Sequence, residues 1–269
     1  MLTSPIFQMA LSVDSPPPLF KALPLNTRGT DFFVGDIHGH YQRLAQSLEE
    51  VGFCPSTDRL ICTGDLVDRG DESDVASDWL EQPFFHSVRG NHEGLYLTWR
   101  LKARDRQEQA AFEEEMYFRN GGRWVQNTPE NEHKRLEQHL EKLPYFLAVP
   151  SADGRTVGVV HAELPDGITW PSLLTAFPGE TLLETMLWGR DRLKYAIRKE
   201  RGLDLGELTA PDDHNTIAGL DALVCGHAVV PDLYRLGNIL YVDTAGWKKK
   251  GHFSVVRLQD VLRRTAASE

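Results

Sequence analysis

Three times within the first hundred residues, a short apolar run stops at a glycine-bearing polar loop and gives way to a helical pattern. The runs are TDFFVGD at 30–36, DRLICTGD at 58–65 and FFHSVRGN at 84–91. The first leads into a helix from Tyr41 to Val51 with Leu44, Leu48 and Val51 on one face; the second into a helix around Ser73 to Leu80; the third into a long helical region from Glu93. Strand, loop and helix in alternation constrain the chain to an α/β fold, with a sheet covered by helices. Ligands of such sheets gather in the loops at the carboxyl ends of the strands.

The rest of the chain fits around that unit. Residues 94–143 are charged and helical, broken at Asn120-Gly121-Gly122 and at Pro129, and read as a helical cap. After Pro144 the runs YFLAV, TVGVVH, ALVCGH, ILYVDT and FSVVRL have strand character, separated by turn signals. The polar stretch from Lys194 to Asn215 reads as a surface insertion. Residues 1–29 carry Pro5, Pro16, Pro17, Pro18 and Pro24 with little periodicity, and read as an extended arm before a single domain over 30–269.

Composition removes several classes of function. With 29 Lys+Arg against 39 Asp+Glu the net charge is −10, which argues against a surface built to grip a phosphate backbone. No stretch approaches the roughly 20 apolar residues of a membrane span, and the N-terminus lacks the basic start of a signal peptide. Cys54, Cys62 and Cys225 are odd in number and lack CxxC spacing. They read as small hydrophobes in a reducing cytoplasm, the expected location.

The chemistry lies in the loops. Gly35-Asp36-Ile37-His38-Gly39, Gly64-Asp65-Leu66-Val67-Asp68-Arg69-Gly70 and Gly90-Asn91-His92-Glu93 stand where the first three strands end, and His161 and His227 end two later ones. Asp36, His38, Asp65, Asn91, His161 and His227 offer oxygen and nitrogen donors without a thiolate, a set suited to Mn²⁺, Fe or Zn²⁺. Taken singly, each block has an ordinary reading as a turn, a cap or a satisfied polar residue. Five blocks, each ending a strand with a metal-capable side chain, are hard to assemble by chance.

In their order, GDIHG, GDLVDRG, RGNHE, VVHAELP, LWGRDR and GHAVVP resemble the calcineurin-like metallophosphoesterases, and within them the bacterial and phage lambda-type branch of the phosphoprotein phosphatases. The resemblance runs over roughly residues 31–258. It implies a four-layer α/β/β/α sandwich with a helical cap. It also implies a dinuclear site, most simply Mn²⁺, with Asp36 and His38 on the first ion, Asp65 bridging, and Asn91, His161 and His227 on the second. His92 would be the general acid, Asp68 its partner, and Arg69 and Arg190 the phosphate ligands, with Arg192 an alternative to Arg190. The implied activity is that of a protein serine/threonine phosphatase, with phosphotyrosine as a further substrate, by direct attack of a metal-bridging hydroxide. The alternative is a symmetrical dinucleoside polyphosphate hydrolase.

The implied partner is a phosphorylated protein or peptide, not a nucleic acid or a membrane. Two ions contribute about +4 against about −3 from Asp36, Asp65 and a hydroxide, so an acidic chain can hold a locally positive pocket. The sequence departs from the family at Gly226-His227-Ala228 and Asp243-Thr244-Ala245-Gly246, and in the bulky, basic Trp247 to Lys250 that follows. His40, at a helix start, is near enough to touch the site; His86, His133, His139, His214 and His252 read as ordinary.

Overall fold

The computed structural model describes residues 19–105, 109–175 and 179–266. In chain order the elements are β1 (Phe20–Ala22), β2 (Asp31–Val34), α1 (Tyr41–Glu50), β3 (Arg59–Cys62), α2 (Ala76–Leu80), β4 (Phe85–Ser87), α3 (Asn91–Asp105), α4 (Gln109–Arg119), α5 (Glu130–Leu140), β5 (Phe146–Pro150), β6 (Thr156–Val160), α6 (Trp170–Thr175), α7 (Glu180–Trp188), α8 (Asp191–Glu200), β7 (Ala222–Cys225), β8 (Tyr234–Leu236), β9 (Ile239–Tyr241), β10 (Val256–Arg257) and α9 (Leu258–Thr265). Two mixed sheets result, ordered β10-β2-β3-β4 and β1-β5-β6-β7-β9-β8. The strands β2, β3 and β4 run parallel, as do β6, β7 and β9.

The layering follows from period-2 alternation, because successive strand side chains point to opposite faces. Phe33 and Ile61 from one sheet meet Leu147, Val149, Val157, Val159 and Val224 from the other in a shared inter-sheet core. Their neighbours Phe32, Val34, Leu60 and Cys62 face outward against Leu44 and Leu48 of α1 and the helices after β4. On the far side Phe146, Val160, Leu223 and Cys225 pack on Leu173, Leu183 and Met186 of α6 and α7. These three cores separate the four layers, helices, sheet, sheet and helices. Each fully buried Phe, Leu or Ile in them contributes roughly 1.5–3 kcal/mol.

The structure redraws several boundaries. The final third of the N-terminal arm is docked on the sheet: Phe20–Ala22 pairs in parallel with Phe146–Ala148, and Leu23 N–H donates to Ala148 O at 2.9 Å. The Phe20 ring packs at a tilt on Phe146 with centroids 4.9 Å apart. Pro24, with no N–H, follows directly, and so short an edge strand leaves little periodic signal. Residues 1–18 of the arm lie outside the described residues. The Lys194–Asn215 stretch, read as a surface insertion, begins within α8, whose residues from Lys194 onward are exposed or half-buried. Strand β8 and helices α6 and α7 went unforeseen, being short or following a loop. Cys62 and Cys225 are buried and Cys54 exposed, all as free thiols. No helix among the described residues is long and apolar enough to cross a membrane.

Candidate metal centre

All the candidate loops leave carboxyl ends of strands, and they converge where the two sheets meet. Five candidate residues adopt positive φ: His38 (47°), Asp65 (50°), Asp68 (72°), Arg69 (68°) and His227 (62°). Such backbone costs of order 1 kcal/mol or more per residue and persists only when neighbours over-determine it. Here Asp65 O accepts the N–H groups of Ile37 and His38 at 3.1 and 2.7 Å, and the Asp36 carboxylate accepts His227 N–H at 3.0 Å. Glu93, the last residue of RGNHE, is fully buried and clips the second and third loops together. Its carboxylate accepts N–H from Asp65 (2.9 Å), Leu66 (2.7 Å) and Gly90 (2.7 Å). Burial, then the charge of Asp65, pushes its carboxyl up to about 7. Glu93 carries no role in the sequence reading, although it stands in a quoted motif.

Two donor clusters share one residue. His38, Asp65 and His92 form the first; Asp65, His161 and His227 form the second. The two Asp65 oxygens divide between them, Oδ2 lying 3.4 Å from His38 Nε2 and Oδ1 lying 3.5 Å from His161 Nε2. Backbone carbonyls set the tautomers: His38 Nδ1–H donates to Val67 O at 3.0 Å and His161 Nδ1–H to Thr63 O at 2.8 Å. Each ring therefore turns an Nε2 lone pair inward. The His161 lone pair faces the Asn91 amide oxygen at 2.8 Å and His227 Nδ1 at 3.1 Å. His227 Nε2 is buried with no hydrogen-bond partner.

Converging lone pairs of this kind suit a cation, and the charges agree. Burial first, then Asp243 and Asp65, holds the Asp36 carboxyl well above the carboxylate range. Burial likewise carries Asp243 up to about 6, and its Oδ2 lacks a partner. Burial keeps His38 and His161 neutral and drives His227 down to about 2, the form that ligates a metal. A buried group with excess carboxylate and neutral imidazoles fits divalent ions. Asp243 belongs to this charge cluster; in the sequence it stands out only as part of a departure from the family pattern.

His92, a member of the first cluster, is tied on its other side to a buried carboxylate. His92 Nδ1–H donates to Asp68 Oδ2 at 2.7 Å, and the other Asp68 oxygen accepts from Tyr117 Oη (2.8 Å) and Trp124 Nε1 (2.7 Å). Burial opposes charge on His92, but Asp65 and Asp68 hold its imidazolium above the ordinary value. Arg69 donates to His38 Nε2 at 2.7 Å, and its other terminal nitrogen lies 3.0 Å from His92 Nε2. Its own backbone N–H donates to Gly121 O at 3.1 Å. Gly121 sits at φ 104°, and a Cβ there would lie 2.6 Å from Arg69 N, so the glycine break seats the helices over 109–140 on the second loop. Tyr117 and Trp124 were invisible as site residues because only tertiary packing brings them to Asp68.

The sequence model of the calcineurin-like phosphoesterase family matches residues 32–231, a span containing every candidate ligand. The chain belongs to the calcineurin-like phosphoesterases. Serine/threonine-protein phosphatase 2 of Salmonella typhimurium is 30% identical over 220 residues, covering 80% of this chain and 86% of that protein. The symmetrical bis(5'-nucleosyl)-tetraphosphatase of Haemophilus influenzae is 31% identical over 149 residues, 49% of this chain and 50% of that one. Among solved structures, one described as a candidate diadenosine tetraphosphatase superposes with a TM-score of 0.57 at 20% identity, covering 89% of this chain and 98% of its own. This last likeness bears on the fold.

The phosphoesterase centre opens into a cleft of about 390 Å³ lined by Arg69, Arg190, His227 and Trp247 among others. The two arginines of LWGRDR part company there. Arg190 is exposed on the cleft, just before α8. Arg192 is buried, with its guanidinium forked onto the Asp213 carboxylate and its N–H on Glu163. Glu163, two residues after His161, also accepts Leu193 N–H at 3.0 Å and so ties the start of α8 to the ligand loop. Arg192→Ala, which takes a buried guanidinium away from the partly buried Asp213 carboxylate, is expected to cost roughly 1.5–3 kcal/mol of stability. Arg190→Ala is expected to change stability by less than about 0.5 kcal/mol and to raise KM for a phosphate ester. Equal losses in denaturant titrations of the two variants would contradict that division. His40 reaches the backbone of the site through its Nδ1, 2.6 Å from His38 O.

Proposed function

We propose that this phosphoesterase is a dinuclear phosphomonoesterase that removes phosphate from phosphoserine and phosphothreonine side chains in proteins, with phosphotyrosine as a further substrate. The observation that carries the reading is the single carboxylate of Asp65 shared between two donor clusters, with the His92–Asp68 pair alongside, its Nε2 being 3.9 Å from Asp65 Oδ2. Asp36, His38 and Asp65 would hold one divalent ion, and Asp65, Asn91, His161 and His227 the other. Mn²⁺ is the metal we assign, with Fe or Zn²⁺ also compatible with the donors. When bound, the pair supplies Lewis-acid activation of water and neutralises charge on phosphoryl oxygens.

The protein's own groups do the rest. His92, protonated at Nε2, would give its proton to the departing side-chain oxygen, and Asp68 would steady the imidazolium through Nδ1. Arg69 and Arg190 would take phosphoryl oxygens in their planar forks, where charge develops in the transition state. Serine/threonine-protein phosphatase 2 of Salmonella typhimurium, which matches over most of both chains, favours a protein substrate.

A second reading, hydrolysis of symmetrical dinucleoside polyphosphates, draws on the tetraphosphatase match over about half of each chain. Side-by-side assay decides between them. Phosphothreonine peptides are expected to turn over with the higher kcat/KM. The activity should vanish on chelation with EDTA and return with Mn²⁺. Efficient cleavage of a dinucleoside tetraphosphate with no release of phosphate from peptides would reverse the assignment.

A further inference from the structure

We propose that the cleft beside the candidate metal centre selects phosphopeptides with acidic side chains flanking the phosphorylated residue, an inference that rests on the protein-phosphatase reading above. Four of the side chains lining the cleft are cationic, Arg69, Arg190, Lys194 and Lys248, and among the described residues no carboxylate lines it. In a chain with 39 acidic and 29 basic residues, such a concentration of one sign is a local field aimed at an anion. Two arginine forks suffice for the oxygens of one phosphoryl group. The lysines are surplus to that need and stand ready for a second negative charge.

Their settings support this use. The loop after β9 that carries Lys248 is anchored to α1, because the Arg43 guanidinium donates to Lys248 O at 2.9 Å and to Gly251 O at 3.0 Å. Lys248 itself is exposed, with its ammonium 4.5 Å from the centre of the Trp247 ring. Lys194, on the first turn of α8, meets Asp191 at 3.7 Å in a pair open to solvent. Such exposed i,i+3 pairs hold weakly and yield to an incoming carboxylate. The lysines therefore reach the cleft from two separate elements, while Leu193 and Ile197 supply apolar wall.

The same cleft is poorly furnished for a nucleotide base. Trp247 is the one Phe, Tyr or Trp lining it among the described residues. Its ring is already engaged by the Arg69 guanidinium at 4.4 Å, by Lys248, and by the His38 ring set nearly edge-on at 5.0 Å. A base needs a free aromatic face on which to stack. An acidic peptide needs only the charges.

Two phosphothreonine peptides test the proposal, one with Asp and one with Asn at the second position on either side. At low ionic strength the Asp peptide is expected to show a kcat/KM roughly tenfold higher, and the ratio should shrink as added salt shortens the Debye length. In a Lys194→Ala/Lys248→Ala double variant, which alters only exposed side chains, the ratio should fall to about one. Lys248→Glu should tilt it toward the Asn peptide. Equal kcat/KM on the two peptides in the native protein, or a preference that survives the double substitution, overturns the inference alone. Turnover of neither peptide alongside cleavage of dinucleoside tetraphosphate overturns the protein-phosphatase reading and the inference together.

Discussion

Replacing His92 by Asn is expected to lower kcat roughly 10²–10⁴-fold on a serine or threonine phosphate, the usual worth of a general acid, while metal binding persists. The physical grounds are local. His92 is almost fully buried, its Nδ1 is committed to Asp68, and its Nε2 faces the Asp65 carboxylate and Arg69. An Asn amide can still donate to Asp68, whose other oxygen keeps its bonds from Tyr117 and Trp124. The buried carboxylate thus remains partnered and the fold should hold. What disappears is the transferable proton. The loss should be far smaller on an aryl phosphate whose leaving group departs as a stable anion. Near-normal turnover on a poorly activated ester would falsify the acid role. Equal losses on both ester types would point instead to damage at the centre.

Asp65→Asn carries the second large effect. Its carboxylate is common to both donor clusters, and burial alone would raise it. The His92 imidazolium instead draws it well below the usual carboxylate range. Removing that charge is expected to weaken both ions at once. Ligand-linked stabilisation gives a readout independent of activity: an ion at a hundred times its Kd adds about 2.7 kcal/mol. Added Mn²⁺ should therefore raise Tm strongly in the native protein, less in His227→Ala, and scarcely at all in Asp65→Asn. Metal analysis after dialysis should show the same order. One ion retained at full occupancy in Asp65→Asn would remove the shared role.

The α/β fold and the convergence of these loops are legible in the sequence, for a definite reason. GDIHG, GDLVDRG and RGNHE each place a glycine and a donor at the end of an apolar run, and a parallel sheet delivers such ends to one edge wherever the helices lie. Strands such as Phe146–Pro150 and Thr156–Val160 announced themselves by apolar runs. Phe20–Ala22 did not, because three extended residues next to Pro24 have no period to read. Helices α6 and α7 are less legible for a related reason: six and nine residues are too short to display a sustained helical period, and what buries their apolar side is the outer face of the larger sheet.

The amino-acid sequence by itself determined the kind of chemistry: its O and N donors, its loop glycines and their order along the chain are local properties, written within a few residues of each strand end. Only the tertiary structure decided how those groups are used. It parted Arg190, on the cleft, from Arg192, paired with Asp213. It brought Tyr117 and Trp124 some 50 residues along the chain to Asp68, gave Glu93 its three N–H groups, and added Asp243 to the buried charge. It also gathered four cations around one cleft of an acidic protein. Local periodicity reports which face of an element is apolar. Which distant side chain meets a buried charge depends on how the layers pack, and that is a property of the whole fold.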